Sequence, residues 1–493
     1  MHTQILLDMA AGGAGERIAV GSLENGVSYE NLLGRSRAAA KWIKDLGVDR
    51  VVYVGLNTDV FPILMFGAAM AGKPFSPLNY RLADADLRRL LERTVPAVAV
   101  VEDDMVGRAN GVAGVTVISC TQFRALIESR PQLSADEETP NDIAILLFTS
   151  GTTGEPKTAV LRHRHLTSYV ISTLEFMSAG EEEAALVSVP PYHIAGIAAI
   201  LSSVYIGRRI VYLSAFSPEA WVDTAAAEKI SHAMLVPTML GRILDVLEQR
   251  KQSLPALKHL SYGGGRMPAA VIERALRALP HTDFVNAYGL TETSSTIAIL
   301  GPEDHREAFA SDDPKVRRRL GSVGRPLPIL ELSIRGPNEE VLGPNQTGEV
   351  WVRGEQVSGE YIGRTALRGD GWFPTNDSGF LDEDGFLFVE GRLDDVIVRG
   401  GENISPGEIE DVLRTHPDVA DCAVIGMADD EWGERVVAFI VSKGTHDEEA
   451  LKALVRSKLR SARVPDAFFL REELPYNETG KLLRRALKTQ TRA

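Results

Sequence analysis

Cysteine is nearly absent from this chain of 493 residues, which has only Cys120 and Cys422. Two cysteines cannot build a disulfide framework or a thiolate metal site, and their scarcity fits a reducing cytosol. Positive charge is also in deficit: 53 Lys and Arg against 67 Asp and Glu leave a formal charge of −14. That balance argues against a nucleic-acid surface and against a patch for anionic membranes. Short basic runs such as Arg317-Arg318-Arg319 read as solvated loop. Long apolar runs are missing too. The longest, Ile194 to Ile206, falls short of the ~20 residues that a membrane-spanning helix needs. Met1 to Ala11 has neither the basic lead nor the apolar core of a secretory signal. The expectation is a soluble, cytoplasmic protein with no integral membrane segment.

What is present is a globular composition, 44% hydrophobic and 24% charged, long enough for two or three domains around a large core. No repeat of fixed period and no low-complexity segment interrupts it. Ser28 to Leu46 carries Leu32, Leu33, Ala39, Trp42, Ile43 and Leu46 at helical spacing. A strand (Arg50 to Leu56), a helix (Val60 to Ala71) and another strand (Ala97 to Val101) follow. This alternation predicts α/β layers around largely parallel sheets. From Pro326 to Val389 short β-rich runs separated by Gly, Pro, Asn and Asp predict hairpins or a small barrel. Beyond Gly391-Arg392-Leu393-Asp394-Asp395 a compact αβ pattern begins. Ser405-Pro406-Gly407-Glu408 reads as a capping box opening a helix to Thr415. Strands Asp421 to Met427 and Arg435 to Val441 precede a helix from Asp447 to Leu459. The boundary is placed near Asp394: an N-terminal domain of residues 1–393 and a C-terminal one of 394–493.

The most telling stretch is Leu147-Phe148-Thr149-Ser150-Gly151-Thr152-Thr153-Gly154-Glu155-Pro156-Lys157-Thr158. A buried strand, Ile143 to Phe148, runs out into small hydroxyl residues and glycines closed by a lysine. Such a loop offers free backbone N–H groups, hydroxyl donors and one cation to phosphate oxygens. It is not a Walker A loop, because Pro156 stands where the second glycine belongs and removes a donor. A solvated linker is the bland alternative, since Ser, Thr and Gly clusters are usually loops.

The loop resembles the signature of the adenylate-forming enzymes: acyl- and aryl-CoA synthetases, peptide-synthetase adenylation domains and firefly luciferase. In character the chain is closest to bacterial aryl- and acyl-CoA ligases such as 4-chlorobenzoate-CoA ligase. The resemblance spans nearly the whole chain, with further motifs in the family's order. It implies a large N-terminal domain of layered α/β subdomains with a small β-barrel-like part, and a small mobile α+β C-terminal domain. It also implies a reaction in two halves, in which a carboxylate attacks the α-phosphorus of ATP and a thiol then displaces AMP.

The implied roles fall on particular residues. Thr149, Ser150, Gly151, Thr152, Thr153, Gly154 and Lys157 cradle phosphate. In Asn286-Ala287-Tyr288-Gly289-Leu290-Thr291-Glu292, Asn286, Tyr288 and Gly289 lie on ATP, with Tyr288 stacked on adenine. Thr291 donates to the α-phosphate, and Glu292 holds Mg²⁺, a cation that prefers carboxylate and phosphate oxygens. Gly263, Gly264 and Gly265 form the wall beside adenine and the acyl group. Asp377 accepts from the ribose hydroxyls with its two acceptor oxygens, and Arg392 is the second ribose contact. Asp394 is the hinge about which the C-terminal domain turns. Lys481 is the catalytic lysine that bridges the carboxylate and the α-phosphate. His193, in Pro190-Pro191-Tyr192-His193, stands near the substrate carboxylate, with Ile194, Gly263, Gly265 and Ala287 around the acyl group. An uncharged site there suits an acid without an α-amino group. Gly400 and Gly401, with Trp432 and Arg81, lie on the CoA side. His163 and His165 have no such support and read as surface or helix residues.

Three positions depart from the family's commonest pattern. Asn376 stands where glycine is frequent, Thr158 follows Pro156-Lys157 in place of glycine, and the basic residues some relatives carry near Asp466-Ala467 are missing, with Arg463 as a substitute. The expectation is an ATP- and Mg²⁺-dependent acyl- or aryl-CoA synthetase for a small-molecule carboxylic acid, with CoA as cosubstrate. A carrier-protein phosphopantetheine is the alternative acceptor, and a homodimer is left open. A non-catalytic nucleotide module leaves Lys481 and Glu292 without a purpose, Pro156 disfavours a P-loop kinase, and a scaffold has no use for six nucleotide motifs in order. Small residues beside Ile194, Ile197, Met234 and Met267 predict room for a bulky or ring-containing acid.

Overall fold

The computed structural model describes residues 1–138, 141–149, 156–429, 431–444, 447–476 and 482–490. Runs of β-branched residues such as Arg50–Val54 and Ala97–Val101 form strands buried almost throughout. That is the pattern of parallel strands covered by helices on both faces. They belong to an eight-stranded sheet whose spatial order is Arg364–Thr365, Glu360–Tyr361, Lys157–Arg162, Ile143–Thr149, Phe75–Pro77, Arg50–Val54, Ala97–Val101, Val115–Ser119. From Ile143–Thr149 to Val115–Ser119 every neighbour is parallel. The helix Val60–Met70 is buried along its whole length. It packs with the helix Tyr29–Leu46 in the largest hydrophobic cluster. The latter helix begins after Ser28 because the Ser28 hydroxyl caps it, accepting from Asn31 N.

A second, nine-stranded sheet has a parallel centre in the order Asp283–Leu290, His259–Gly263, His232–Leu235, Ala184–Val187, Arg209–Tyr212, Ile18–Val20. Antiparallel Ser295–Leu300 and Arg325–Pro326 extend one side. In open sheets of this kind ligands bind beyond the carboxyl ends of the parallel strands. Those ends lead here to His193, Val236, Gly264 and Thr291. The β-rich stretch forms a four-stranded antiparallel sheet of Glu331–Arg335, Gly348–Arg353, Phe373–Leu381 and Leu387–Arg392. Backbone bonds from Val323 N to Leu387 O (2.8 Å) and from Leu387 N to Gly324 O (2.7 Å) stitch it to the nine-stranded sheet. An excursion from it, Glu360–Tyr361, pairs with Lys157–Arg162 and so reaches the eight-stranded sheet.

The C-terminal part has its own five-stranded sheet. Its core of Ile397, Ile409, Val424, Val436, Ile440 and Leu451, among others, is drawn from residues 397 onward. It docks through the helix Pro406–Arg414. Arg266 pairs with Asp411, and Ser405 Oγ donates to Glu390 O at 2.9 Å. A Cβ on Gly407 would meet Arg266 Nη1 at 2.2 Å and Glu390 O at 2.9 Å, so only glycine lets the helix approach this closely.

Three sequence expectations change. Ser405 stands at the N-cap but forms no capping box, and its hydroxyl is turned to donate to Glu390 O. His163 and His165 do open a helix, His163–Thr173, yet both are buried rather than at the surface. Thr3 N donates to His163 Nδ1. Arg317-Arg318-Arg319 is no solvated loop. Arg317 pairs with Glu273, Arg318 with Asp382 and Arg319 with Asp384. Arg318 and Arg319 also lie over Phe388 and Phe386. No helix of the described residues is long and apolar enough to cross a membrane.

Candidate active site

The strand Asp283–Leu290 carries one side of the site. A bulge between Tyr288 and Gly289 re-aims its end, and the 3₁₀ turn Thr291–Thr293 follows. Leu290 N donates to Thr293 Oγ1 at 3.0 Å, which fixes the turn. Glu292 is held at both ends: its backbone carbonyl accepts from Ser358 N (2.8 Å) and Gly359 N (3.1 Å), and Oε1 accepts from the Tyr361 hydroxyl at 2.6 Å. No group of three or more His, Cys, Asp or Glu side chains among the described residues could hold a metal by itself. Magnesium commonly takes one or two carboxylates and completes its shell with substrate phosphates and water. Glu292, oriented by Tyr361, fits that arrangement.

A second cluster lies where Phe373–Leu381 pairs with Leu387–Arg392, with Asp377 directly opposite Arg392. Arg392 Nε lies 3.1 Å from Asp377 Oδ1, and Arg392 Nη1 donates to Thr375 O at 2.7 Å. Tyr288 OH donates to Asp377 Oδ2 at 2.5 Å. Burial, reinforced by the Asp377 charge, pushes the Tyr288 hydroxyl well above its ordinary range, so it stays a donor. Burial opposes the charge on Arg392, but Asp377, Tyr288 and Glu292 outweigh it and raise its pKa. The result is a carboxylate whose two oxygens are fixed in direction by a phenol and a guanidinium, and a carboxylate offers acceptors only, which is the chemistry a diol needs.

His193 is the residue before the helix Ile194–Ile206, with its ring 4.6 Å from that of Tyr192. Burial lowers its pKa to about 4, so the imidazole is neutral at ordinary pH. Gly263 ends its strand directly opposite Ala287. A Cβ there would stand 2.3 Å from Ala287 O, which makes glycine obligatory at this wall. Gly264 and Gly265 follow at the surface.

The other expected residues have surroundings of their own. Asn286 is buried, and its Nδ2 donates to Ser322 O at 3.0 Å, so one of its two N–H donors is engaged. Gly400 and Gly401 are exposed, Trp432 is 48% exposed, and none of these CoA-side residues meets the Tyr288–Asp377 cluster through a described contact. Arg81 lies over the neighbouring Tyr80 ring. Arg463 does not supply the missing base near Asp466, because Glu408 engages it at 2.6 Å. Arg399 is the cation found there, 2.8 Å from Asp466 and over the Trp432 ring. Thr149 ends its strand, with Thr149 Oγ1 donating to Lys157 O. Ser150, Gly151, Thr152, Thr153, Gly154 and Lys481 lie outside the described residues. Sequence reasoning missed Tyr361: nothing local marks it, and only the crossing of Glu360–Tyr361 to another sheet brings it to Glu292.

With this geometry in view, comparison with known proteins gives consistent matches. Residues 7–362 match the AMP-binding enzyme family, and residues 408–481 match the AMP-binding enzyme C-terminal domain. A feruloyl-CoA synthase from an Amycolatopsis species is 32% identical over 477 residues, covering 93% of this chain and 92% of that protein. Among solved structures, o-succinylbenzoate CoA synthetase (MenE) from Bacillus subtilis, in complex with its acyl-adenylate intermediate, superposes with a TM-score of 0.85 at 27% identity. That match covers 98% of this chain and 97% of the other. The amide bond synthetase McbA from Marinactinospora thermotolerans gives 0.88 at 26% identity, covering 99% of each chain.

Proposed function

Because the chain belongs to the AMP-binding enzyme family and is an AMP-forming acid–thiol ligase, we propose that its two half-reactions are divided among the residues as follows, and that its acid is bulky or ring-containing. ATP and a carboxylic acid give acyl-AMP and pyrophosphate, and CoA then takes the acyl group. Asp377, Arg392 and Tyr288 hold the ribose and adenine. Thr149, Lys157 and residues 150–154 hold the phosphates, with Thr291 at the α-phosphate. Mg²⁺ supplies neutralisation of phosphate charge, and Glu292 is its carboxylate. Phosphoryl chemistry of this kind depends on positioning and charge stabilisation, which explains why the carboxylates here are so firmly oriented.

His193, neutral above about pH 4, offers the acid a hydrogen-bond donor without a counter-charge, beside Ile194 and the Gly263–Ala287 wall. That favours an acid lacking an α-ammonium group. Lys481 bridges the reacting oxygens in the first half-reaction. The chain then turns at Asp394, between working domains of residues 1–393 and 394–493, so that Gly400, Gly401 and Trp432 meet Arg81 on the thiol side. The exposure of Gly400, Gly401 and Trp432 supports such a rotation.

The single observation that carries the reading is the Tyr288–Asp377–Arg392 cluster, joined through one strand to the Glu292–Tyr361 pair. The test is incubation with Mg-ATP, CoA and a panel of aliphatic, alicyclic and aromatic acids, reading AMP and product masses. The expected result is an aromatic or alicyclic acyl-CoA formed with AMP. Acyl-AMP without thioester would move the acceptor to a carrier protein or an amine, and turnover confined to acetate or propionate would overturn the acid class.

A further inference from the structure

A cleft of about 490 Å³ beside the phosphate end is lined by Arg50, Arg93, Lys157 and Arg364, together with Thr158 and Tyr361. Four cations converge in a chain whose net charge is −14, and no carboxylate is among the described residues that line the space. Nor does any of the four form an ion pair with another described residue. Of the acids near them in sequence, Asp49 pairs with Lys73 at 3.7 Å while its charge also reaches Arg50, Glu360 accepts two bonds from Arg162 at 2.8 Å each, and Glu92 does not line the cleft. Gathering four like charges with so little counter-charge is unfavourable, so a site of this composition favours an anion.

The cations are also held in place. Arg93 donates to Pro156 O (2.9 Å) and Thr158 Oγ1 (3.2 Å) and lies over the Phe148 ring. Arg50 donates to Arg93 O at 2.9 Å. Arg364 and Lys157 both lie against the Tyr361 ring, at 4.9 and 5.9 Å from its centroid. Tyr361 is thus a wall between two places: its ring faces the cleft, and its hydroxyl donates to Glu292.

We propose that this cleft binds the inorganic pyrophosphate released in the first half-reaction, with Arg50, Arg93, Lys157 and Arg364 as its donors. The proposal rests on the reading of Glu292 and Lys157 as the phosphate end of the ATP site. Guanidinium groups match phosphate oxygens in charge and in donor geometry. The phosphates of CoA share that chemistry, but the cleft adjoins Glu292 and none of the CoA-side residues Arg81, Gly400, Gly401 and Trp432 lines it.

The experiment is product inhibition of acyl-AMP formation by pyrophosphate, with the KM for CoA measured alongside. The Arg50→Gln/Arg364→Gln protein should show an inhibition constant for pyrophosphate raised about tenfold. The Arg50→Lys/Arg364→Lys protein should recover most of the difference, and the KM for CoA should move less than about twofold. If the double Gln protein does not fold, Arg364→Gln alone, an exposed position, should give about a threefold rise. An unchanged inhibition constant in a folded variant overturns the proposal. So does a large rise in the KM for CoA with pyrophosphate inhibition intact, which would assign the cleft to CoA phosphates. Glu292→Gln separates the two layers. Wild-type adenylation by that variant sinks the reading of the phosphate end, whereas its failure combined with unaltered pyrophosphate inhibition in the arginine variants sinks the cleft alone.

Discussion

The Asn376 carboxamide donates to Asp394 Oδ2 at 2.9 Å, joining the strand that carries Asp377 to the proposed hinge residue. Asn376 has φ +62°, a conformation in which glycine is most at ease and asparagine is among the better tolerated side chains. The departure from glycine therefore does not disturb the turn. It adds a bond that holds the hinge in the present arrangement. In Asn376→Gly the relief of backbone strain is small, and the lost bond is worth about 1 kcal/mol after solvent screening. The ratio of adenylation to thioester-forming rate should shift by about fivefold, measured by single-turnover assays of each half-reaction. An unchanged ratio would mean that this bond does not bias the hinge.

Tyr361→Phe removes the only described donor to the Glu292 carboxylate and leaves the ring in place. Groups that orient a metal-binding carboxylate affect metal affinity by about ten- to a hundredfold. The Mg²⁺ concentration for half-maximal adenylation should rise by at least about tenfold, with the KM for the acid little changed. A normal Mg²⁺ dependence would place the metal on another group.

Much of this was legible along the chain, because strand and helix periodicities are local. Arg50–Val54, Val60–Met70 and Ala97–Val101 lie within two residues of their expected bounds. Tyr288, Asp377 and Arg392 come together, and Glu292 follows the strand that carries Tyr288, although Asp377 lies 85 positions beyond Glu292 in the sequence. What stayed hidden depends on long-range pairing. Ser405 has the sequence of a helix cap, but its hydroxyl is turned to Glu390 O, fifteen residues back, and caps no backbone N–H. Arg317-Arg318-Arg319 looked solvated because its aromatic partners, Phe386 and Phe388, come from a distant hairpin. Tyr361 reaches Glu292 only because a short strand crosses between sheets.

Arg392→Lys keeps the charge but loses the planar fork that reaches Asp377 through Nε and Thr375 O through Nη1. One ammonium cannot replace both contacts. The KM for ATP should rise by about tenfold, with less than about a twofold change in the KM for the acid. Equal rises in both constants would show that Arg392 supports the fold rather than the nucleotide.

Lys481→Ala should reduce acyl-AMP formation by about a hundredfold or more, because a cation at developing phosphate charge is a dominant stabilising group. Thioester formation from supplied acyl-AMP should change much less. Asp394→Pro should do the reverse, since it stiffens the hinge and leaves the adenylating groups in place. Equal losses in both half-reactions for either variant would contradict the roles given to these residues.

Stability should fall on mild acidification, for a reason that lies away from the chemistry. His163, His165 and His305 are buried, and burial lowers their pKa values to about 3, 4 and 4, against 6.5 for a free imidazole. As pH falls through 6.5 the unfolded chain takes up these protons, and the folded chain does not until about pH 4. Their contribution is therefore complete above pH 6.5 and lost progressively down to about pH 4. At pH 5.5 the loss is about 1 kcal/mol for each histidine. His305 gives the cleanest test. Its Nδ1 faces Gly301 O at 2.7 Å and so carries the proton, which leaves Nε2 to accept from Tyr262 OH at 2.8 Å. Protonating Nε2 removes that acceptor. Urea unfolding between pH 7.5 and 5.5 should show stability decreasing with pH in the wild type, with a slope smaller by up to one proton in His305→Gln. The difference between the two proteins cancels the carboxyl groups that also titrate at the lower end, and identical slopes would mean that His305 is already charged in the folded state.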